Sequence, residues 1–344
     1  MSDMSENILE VKDLSFSFRT YGGTVKAVRD VSFDLRRGEI LGIVGESGCG
    51  KSVTAQSILK LNPEPPGFFE GGSIVYNGED LVKKTDKQMR KIRGRHIGFI
   101  FQDPMTSLNP TMRIGKQVEE IFAGDKKMTR AQKRQRALAL FEKLGISDPE
   151  RRLNQYPHEL SGGMKQRVMI AIALVGEPDI IIADEPTTSL DVTIEAQILQ
   201  ILKEMSRETH TSVMIITHDL GVIAKLCDRV LVMYGGEIME RGGIDDIFYR
   251  TAHPYTSGLM HSIARLDMSR DEELKPIEGS PPDLFAPPRG CPFAARCEYA
   301  MEICGEQPAP QTELADGHST RCWLRNPHAP DVDLTYQGGG VNVR

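Results

Sequence analysis

The first part of the chain alternates short apolar runs with turn residues. Between residues 8 and 44 the runs "ILEVKDLSFSF", "AVRDVSFDL" and "ILGIVG" are rich in β-branched and aromatic residues. This pattern predicts strands at the start of a mixed sheet. The spacing of apolar positions then becomes helical in "SVTAQSILKLN", so a helix is expected there.

The centre of the chain passes from a helical pattern to buried strands. Residues 106–156 are rich in charged helix formers, as in "RAQKRQRALALFEKLGI", and indicate a helical insert. The continuous apolar run "DIIIA" fits a buried central strand, and "SVMIITH" and "RVLVMY" offer two more. Because helices alternate with these strands, the pattern predicts an α/β fold with parallel strands.

The composition of the chain changes after about Tyr255. The segment "KPIEGSPPDLFAPPRG" is Pro-rich and typical of a linker, and "NPHAPDVDLTYQGGGVNVR" is typical of a frayed tail. Four of the six cysteines fall in the last fifth of the chain. Such crowding could reflect a metal, a disulfide framework or chance.

Length and composition limit the class of protein. A chain of 344 residues is too long for one core, so a large domain with an extension, or two domains, is expected. The net charge of −6 gives no positive electrostatic potential that would attract nucleic acid, which argues against nucleic acid as a partner. The N-terminus has no secretory pattern and no apolar run approaches the roughly 20 residues that span a bilayer. We therefore expect a cytosolic protein, in which clustered cysteines more often bind metal than form disulfides.

A phosphate-binding loop is the strongest motif. The stretch "GESGCGKS", Gly45 to Ser52, matches G-x-x-x-x-G-K-[ST] and lies between an apolar strand and a helical segment. Backbone N–H groups of such a loop surround an anion, Lys51 reaches the β/γ-phosphates and Ser52 binds Mg²⁺. A Gly-rich turn in an unrelated fold is the alternative, and Cys49 is interpreted as a small residue tolerated between glycines. The predicted ATP-binding residues are Gly45, Ser47, Gly48, Gly50, Lys51, Ser52 and Val53.

A carboxylate pair follows the buried strand in "DIIIADEP". Asp184 is expected to hold the Mg²⁺ shell and Glu185 to polarise the attacking water as a general base. Two acids that cap a strand in a solvated turn are the alternative. Together the two motifs predict a nucleoside triphosphatase.

The stretch "LSGGMKQR", Leu160 to Arg167, resembles the signature of the ATP-binding-cassette (ABC) ATPases. Ser161, Gly162 and Gly163 precede a helix and offer a hydroxyl, N–H groups and a positive dipole to a phosphate. Since the chain already has a phosphate loop, this second cradle suggests a partner's ATP, and the resemblance implies a head-to-tail sandwich of two such domains.

The resemblance implies roles for further residues. Gln102 in "FIFQDP" corresponds to the glutamine that contacts Mg²⁺ and water, so the implied magnesium ligands are Ser52, Gln102 and Asp184. Asp191 in "SLD" corresponds to the loop between the two ATPases, and His218 in "IITHD" to the switch histidine near the γ-phosphate. For the aromatic residue that stacks on adenine, Tyr21 is the first candidate and Phe18 its rival.

Nearly the whole chain resembles the ATPases of dipeptide and oligopeptide importers, in stretches such as "FIFQDPMTSLNPTM", "YPHELSGGMKQRVMIAIAL" and "HPYTSGLMHSI". Met164, at a signature position that is usually glutamine, fits this peptide and nickel branch. The resemblance implies an α/β, RecA-like ABC ATPase core over 6–262 with an α-helical subdomain at about 104–165. A small Cys-rich extension over 263–330 and a flexible tail over 331–344 would follow.

The same resemblance implies function and partners. Binding and hydrolysis of ATP would drive alternating access in a transporter at the cytoplasmic face of the membrane. The implied partners are a second, different ABC ATPase, two membrane-spanning permease subunits and an extracytoplasmic solute-binding protein. Alternatives are a soluble ABC ATPase with an iron–sulfur lobe acting on nucleic acid or ribosomes, a purely regulatory nucleotide-binding module, or an importer of nickel or oligosaccharides.

The clustered cysteines have the spacing C-x5-C-x6-C-x17-C, which matches neither the paired zinc pattern nor the ferredoxin run. The resemblance to peptide-importer ATPases implies a [4Fe–4S] cluster, with structural Zn²⁺ or unligated thiols as alternatives. His318 could replace one cysteine, and Cys227 is expected to be a buried helix residue. The candidate ligands are Cys291, Cys297, Cys304 and Cys322.

Overall fold

The apolar runs of the sequence form strands in the computed structural model. The structure describes residues 6–122, 128–187, 192–262 and 276–335, with the backbone alone for 192–194. Its strands are β1 (Asn7–Thr20), β2 (Gly23–Arg36), β3 (Ile40–Val44), β4 (Gly67–Tyr76), β5 (Glu79–Asp80), β6 (Ile97–Ile100), β7 (Ile180–Asp184), β8 (Ser212–Ile216), β9 (Arg229–Tyr234), β10 (Glu237–Gly243), β11 (Thr312–Ala315) and β12 (His318–Thr320).

Helices lie in both stretches where helical periodicity or charged helix formers were noted, and further helices lie outside them. They are α1 (Lys51–Ile58), α2 (Asp86–Met89), α3 (Pro104–Ser107), α4 (Ile114–Ile121), α5 (Arg130–Lys143), α6 (Pro149–Asn154), α7 (Gly162–Leu174), α8 (Val192–Thr209), α9 (Leu220–Leu226), α10 (Ile244–Tyr249), α11 (Pro254–His261) and α12 (Glu302–Glu306). Short 3₁₀ turns cover Pro157–Glu159, Ala294–Arg296 and Trp323–Arg325.

The chain divides into two compact units. The first contains Met1–Ile8, Leu35–Ile40 and Lys83–Ile216, and the second contains Leu9–Asp34, Leu41–Val82 and Thr217–Arg344. The first unit contains parallel strands in the order β8-β7-β6, of which β7 and β8 were predicted, together with helices α2 to α8. Every residue of β7 and β8 is buried, as expected for strands covered on both faces.

The second unit contains strands of both kinds. β3 pairs in parallel with β9, and β10, β12 and β11 extend from β9 as antiparallel neighbours. The expectation that the first strands begin this mixed sheet is wrong for β1 and β2, which form a separate antiparallel sheet in the order β2-β1-β4-β5. Their alternating burial explains the difference, because a strand with one solvated face suits an antiparallel sheet whereas the fully buried β3 does not.

Across the residues that the structure describes, no helix is both long enough and apolar enough to cross a bilayer.

Candidate nucleotide-binding site

Glycines shape the phosphate loop in the second unit. Gly45 and Gly50 have φ angles of 150° and 100°, which favour glycine. A Cβ atom would also lie 2.1 Å from the carbonyl oxygen of Met233 at Gly45, and 2.4 Å from that of Ala27 at Gly50. The loop therefore packs directly against neighbouring backbone, and no other residue type fits at these two positions.

Lys51 begins α1 and folds back over the loop. Its Nζ donates to the carbonyl oxygens of Gly45 at 2.7 Å and Glu46 at 2.9 Å, and its side chain is buried. The ammonium group is thus held inside the turn of the loop, where β/γ-phosphates are expected. Cys49 is also buried, and burial raises the pKa of its thiol, which agrees with a packing role.

Two residues that the motif analysis did not identify hold this loop from outside. The backbone N–H of Glu46 donates to the hydroxyl oxygen of Tyr255 at 2.8 Å. The carboxylate of Glu46 forms an ion pair with Arg296, which lies in the cysteine-rich stretch. Tyr255 belongs to the quoted run "HPYTSGLMHSI", but no local pattern links either residue to the loop.

The proposed catalytic carboxylates lie at the end of β7 in the first unit. Asp184 is buried as the last residue of the strand, and Glu185 follows it with a φ of 46°. The backbone N–H of Glu185 donates to Ile216 at 2.8 Å, and Gln102 Nε2 donates to Glu185 Oε2 at 2.8 Å. The structure therefore brings the predicted glutamine and general base into contact.

The signature residues lie at the start of α7 in the same unit. Ser161 is the N-cap, and its Oγ accepts a hydrogen bond from the Met164 N–H at 3.4 Å. Gly162 is exposed, with no atom within 4 Å of the position a Cβ would take. Sequence reasoning missed Gln166, a buried residue whose Nε2 donates to the Pro186 carbonyl at 2.5 Å. Gln166 thus joins the signature helix to the turn after Glu185.

The predicted switch histidine lies in the turn between β8 and α9, within the second unit. His218 is exposed, and its neighbours are fixed on both sides. The Thr217 N–H donates to Ile43 of β3 at 3.3 Å, and the Asp219 N–H donates to Thr217 Oγ1 at 3.0 Å. Asp219 in turn caps α9, so the backbone that carries His218 has a defined conformation.

The two aromatic candidates for adenine differ in their surroundings. Tyr21 lies in the turn after β1 and is fully exposed. Phe18 is half-buried and makes an edge contact with Phe16, with ring centroids 5.3 Å apart. An additional exposed aromatic residue, Phe285, lies beside Gly22 and Gly23. The predicted dimer-loop residue Asp191 lies outside the described residues.

The clustered cysteines lie in the second unit without forming a recognisable metal site. Burial raises the pKa of Cys291 to about 12 and that of Cys322 to about 11, and the other three cysteines of the cluster contribute to the shift at Cys291. Within the described ranges, however, no group of three or more His, Cys, Asp or Glu side chains is placed to hold a metal ion. The structure thus gives no support to the expected iron–sulfur cluster or to zinc.

Two further expectations concern single side chains near this segment. His318 is buried and its Nε2 lies 2.9 Å from Glu240 Oε1, so the structure pairs it with a carboxylate and not with the cysteines. Cys227 is buried as predicted and forms the C-cap of α9.

Comparison with known proteins identifies the family. The chain is 54% identical over 326 residues to the oligopeptide transport ATP-binding protein OppD of Bacillus subtilis, covering 95% of this chain and 91% of that one. It is 55% identical over 330 residues to the dipeptide transport ATP-binding protein DppD of the same organism, covering 96% and 98%. The chain belongs to the ATP-binding proteins of peptide ABC transporters.

Other comparisons agree with this family. Models of the ABC transporter family and of the oligopeptide/dipeptide transporter C-terminal region match residues 28–188 and 239–304 of this ABC ATPase. A solved ATP-binding cassette, the dimeric MJ0796 in a post-hydrolysis state with ADP and Pi, is 29% identical with a TM-score of 0.62. That match covers 69% of this chain and 98% of the cassette. The protein is therefore an ATP-hydrolysing cassette with a mixed α/β fold.

Proposed function

We propose that this ABC ATPase hydrolyses ATP to drive import of dipeptides and oligopeptides. The observation that carries the hydrolytic part is the 2.8 Å hydrogen bond from Gln102 to Glu185, beside the buried Asp184 at the end of β7. This hydrogen bond fixes the orientation of the carboxylate that is proposed as the general base. The names of the OppD and DppD relatives support peptides as the solute class.

We propose the following division of labour among the site residues. Lys51 and the N–H groups of the phosphate loop bind the phosphates, and Tyr21 stacks on adenine. Glu185 takes a proton from the attacking water while Gln102 orients that carboxylate, and His218 contacts the γ-phosphate.

The side chains predicted to bind magnesium have suitable chemistry. Ser52, Gln102 and Asp184 offer hydroxyl, amide and carboxylate oxygens, which are the ligands that Mg²⁺ prefers. When bound, the ion neutralises phosphate charge during hydrolysis.

The signature residues imply that the chain acts as one half of a pair. We propose that Ser161, Gly162 and Gly163 at the start of α7 bind the ATP held by a second, different ABC ATPase, with Asp191 at the interface. The exposure of Ser161 and Gly162 supports this role. Two permease subunits would place the pair at the cytoplasmic face of the membrane, with a solute-binding protein outside.

We also propose a division of the chain into domains. It comprises a RecA-like core over 6–262 with a helical subdomain at about 104–165, a Cys-rich extension over 263–330 and a tail over 331–344. Helices α3 to α6 support the subdomain, and Leu334 is buried in the stretch assigned to the tail. The [4Fe–4S] cluster stays a prediction of the sequence resemblance, and no step of the proposed reaction depends on it.

Reconstitution tests the proposed function. The chain would be assembled in proteoliposomes with its partner ATPase, permeases and solute-binding protein, and ATP hydrolysis and uptake of a labelled oligopeptide would be measured. We expect peptide to stimulate both. Glu185→Gln should retain ATP binding and lose turnover by about 10²–10⁴-fold, because the general base is removed.

Glu208→Gln is the matched control, since Glu208 is an exposed carboxylate of the same unit, 3.8 Å from Lys143. It should hydrolyse ATP like the wild type. Wild-type turnover by Glu185→Gln would reject the assigned base. Stimulation by nickel or an oligosaccharide in place of peptide would reject the proposed solute class.

A further inference from the structure

An arginine of the cysteine-rich stretch reaches the phosphate loop. Arg296 ends the 3₁₀ turn Ala294–Arg296 and directly precedes Cys297. Its two terminal nitrogens donate to the two carboxylate oxygens of Glu46, Nη1 to Oε2 at 2.6 Å and Nη2 to Oε1 at 3.0 Å. The pair is therefore bidentate and joins residues 250 positions apart.

The arginine is fixed by its remaining hydrogen bonds. Its Nε donates to the Glu278 carbonyl at 2.8 Å, Nη2 also donates to the Ile277 carbonyl at 2.9 Å, and Nη1 donates to the Tyr234 hydroxyl at 3.0 Å. The side chain of Arg296 is only 6% exposed. A planar guanidinium bound on all sides has one orientation, so it holds the carboxylate in one place.

The carboxylate that Arg296 holds belongs to the loop itself. The carbonyl oxygen of Glu46 accepts the 2.9 Å hydrogen bond from Lys51 Nζ, and the backbone N–H of Glu46 donates to the Tyr255 hydroxyl. The rings of Tyr234, Tyr255 and Phe293 are in mutual contact, with centroids 4.5 to 5.3 Å apart. A displacement of Arg296 would thus be passed through Glu46 to the lysine that binds phosphate.

We propose that Arg296 is a positioning residue for the phosphate loop, through which the conformation of the cysteine-rich stretch (residues 276–335) sets the affinity for ATP. The inference rests on the proposed nucleotide site. Coupling of this kind is reciprocal, so bound nucleotide also stabilises the contact between this stretch and the loop.

The dissociation constant of Mg-ATP, measured with a fluorescent analogue on the full-length chain, tests the proposal. Arg296→Ala should raise it about tenfold, which corresponds to about 1.4 kcal/mol. In the assembled transporter KM should rise more than kcat falls. Because Arg296 acts through Glu46, the double variant with Glu46→Ala should bind no more weakly than either single variant.

Arg321→Ala is the matched control. Arg321 also directly precedes a cysteine of the same stretch, and it pairs with Asp30 at 3.0 Å and Glu237 at 3.6 Å, neither of which belongs to the loop Gly45–Ser52. Since Arg321 forms no ion pair with a residue of the phosphate loop, Arg321→Ala should lower the midpoint of chemical unfolding without changing nucleotide affinity. An Arg296→Ala protein that loses stability to the same extent and binds Mg-ATP within twofold of the wild type overturns the proposal.

Two further results keep the test decisive. If Arg296→Ala does not fold, Arg296→Lys and Glu46→Gln replace it, and each should weaken Mg-ATP binding, since each removes the bidentate geometry. Unchanged affinity in both would overturn the inference. Failure of the wild-type chain to bind Mg-ATP would instead reject the proposed nucleotide site.

Discussion

At the scale of single residues, a buried carboxylate organises part of the second unit. Glu240 is fully buried and accepts hydrogen bonds from the N–H groups of Ala252 and His253, at 2.8 and 3.0 Å, and contacts His318 at 2.9 Å. Buried charge is tolerated only when it is matched in this way. The histidine that sequence reasoning considered for a metal therefore has a structural role in the protein.

His253 gives a pH-dependent prediction. Its Nδ1 accepts from the Tyr255 N–H as the cap of α11, and burial, with a smaller effect of Arg325, lowers its pKa from the ordinary 6.5 to about 3. Below pH 6.5 His253 is protonated in the unfolded chain but stays neutral in the folded protein. The free energy of unfolding therefore decreases as the pH falls. Between pH 7.5 and 5.5 we expect this residue to contribute a loss of about 1.4 kcal/mol.

Urea unfolding of the wild type and His253→Asn at both pH values checks this. Asparagine can also cap the helix but does not titrate in this range. On acidification the free energy of unfolding of the variant should therefore fall by about 1.4 kcal/mol less than that of the wild type. Equal losses in the two proteins would contradict the low pKa.

The sequence predicted the residues whose chemistry is local and missed those whose partner is distant. The phosphate loop, Asp184 and Glu185 follow from short motifs beside apolar strands. Arg296 and Tyr255 touch the loop from 250 and 209 positions away, and no periodicity records such a pairing. Gln166 lies inside the signature "LSGGMKQR", but its contact with Pro186 is seen only in the folded structure.

At the scale of elements, a helix cap fixes the turn that carries the switch histidine. Asp219 Oδ1 accepts from the N–H groups of Gly221 at 2.7 Å and Val222 at 3.3 Å. We expect Asp219→Ala to lower the free energy of unfolding by about 1 kcal/mol and to reduce kcat, because the cap is lost next to His218.

Asp219→Asn should retain both stability and turnover, since asparagine caps equally well. Chemical unfolding and steady-state ATPase assays of the two variants measure the difference. If alanine and asparagine gave the same stability, the cap would not hold this turn.

Element boundaries show where sequence patterns were sufficient. The uniformly apolar runs of β7, β8 and β9 were predicted as buried strands and form them. β1 and β2 were recognised as strands but given to the wrong sheet. An alternation of apolar and polar residues identifies β1 and β2 as strands with one solvated face. Their sheet also depends on the pairing of β1 with β4, and β4 was not predicted from the sequence.

At the scale of the whole molecule, ligand binding should be visible as stability. Any ligand that binds only the folded state stabilises it, and Mg-ATP at 100 times its dissociation constant should add about 2.7 kcal/mol. Lys51→Ala should abolish this gain, because the buried ammonium group of the phosphate loop is removed. Lys133→Ala is the control, since Lys133 donates to Phe122 in another part of the chain.

Chemical unfolding with and without Mg-ATP measures the gain in each protein. A gain of equal size in Lys51→Ala and Lys133→Ala would show that nucleotide stabilises the chain without the lysine of the phosphate loop.

The distance between Glu46 and Arg296 also has a consequence for biosynthesis. The phosphate loop is synthesised before its contact residue Arg296, which follows Glu46 by 250 positions. At about 5–20 residues per second, roughly 12–50 s separate the two on the ribosome. A nascent chain that stalls before Arg296 carries a complete phosphate-loop motif without the ion pair to Glu46, so the full set of contacts to this loop forms only after Arg296 has been synthesised.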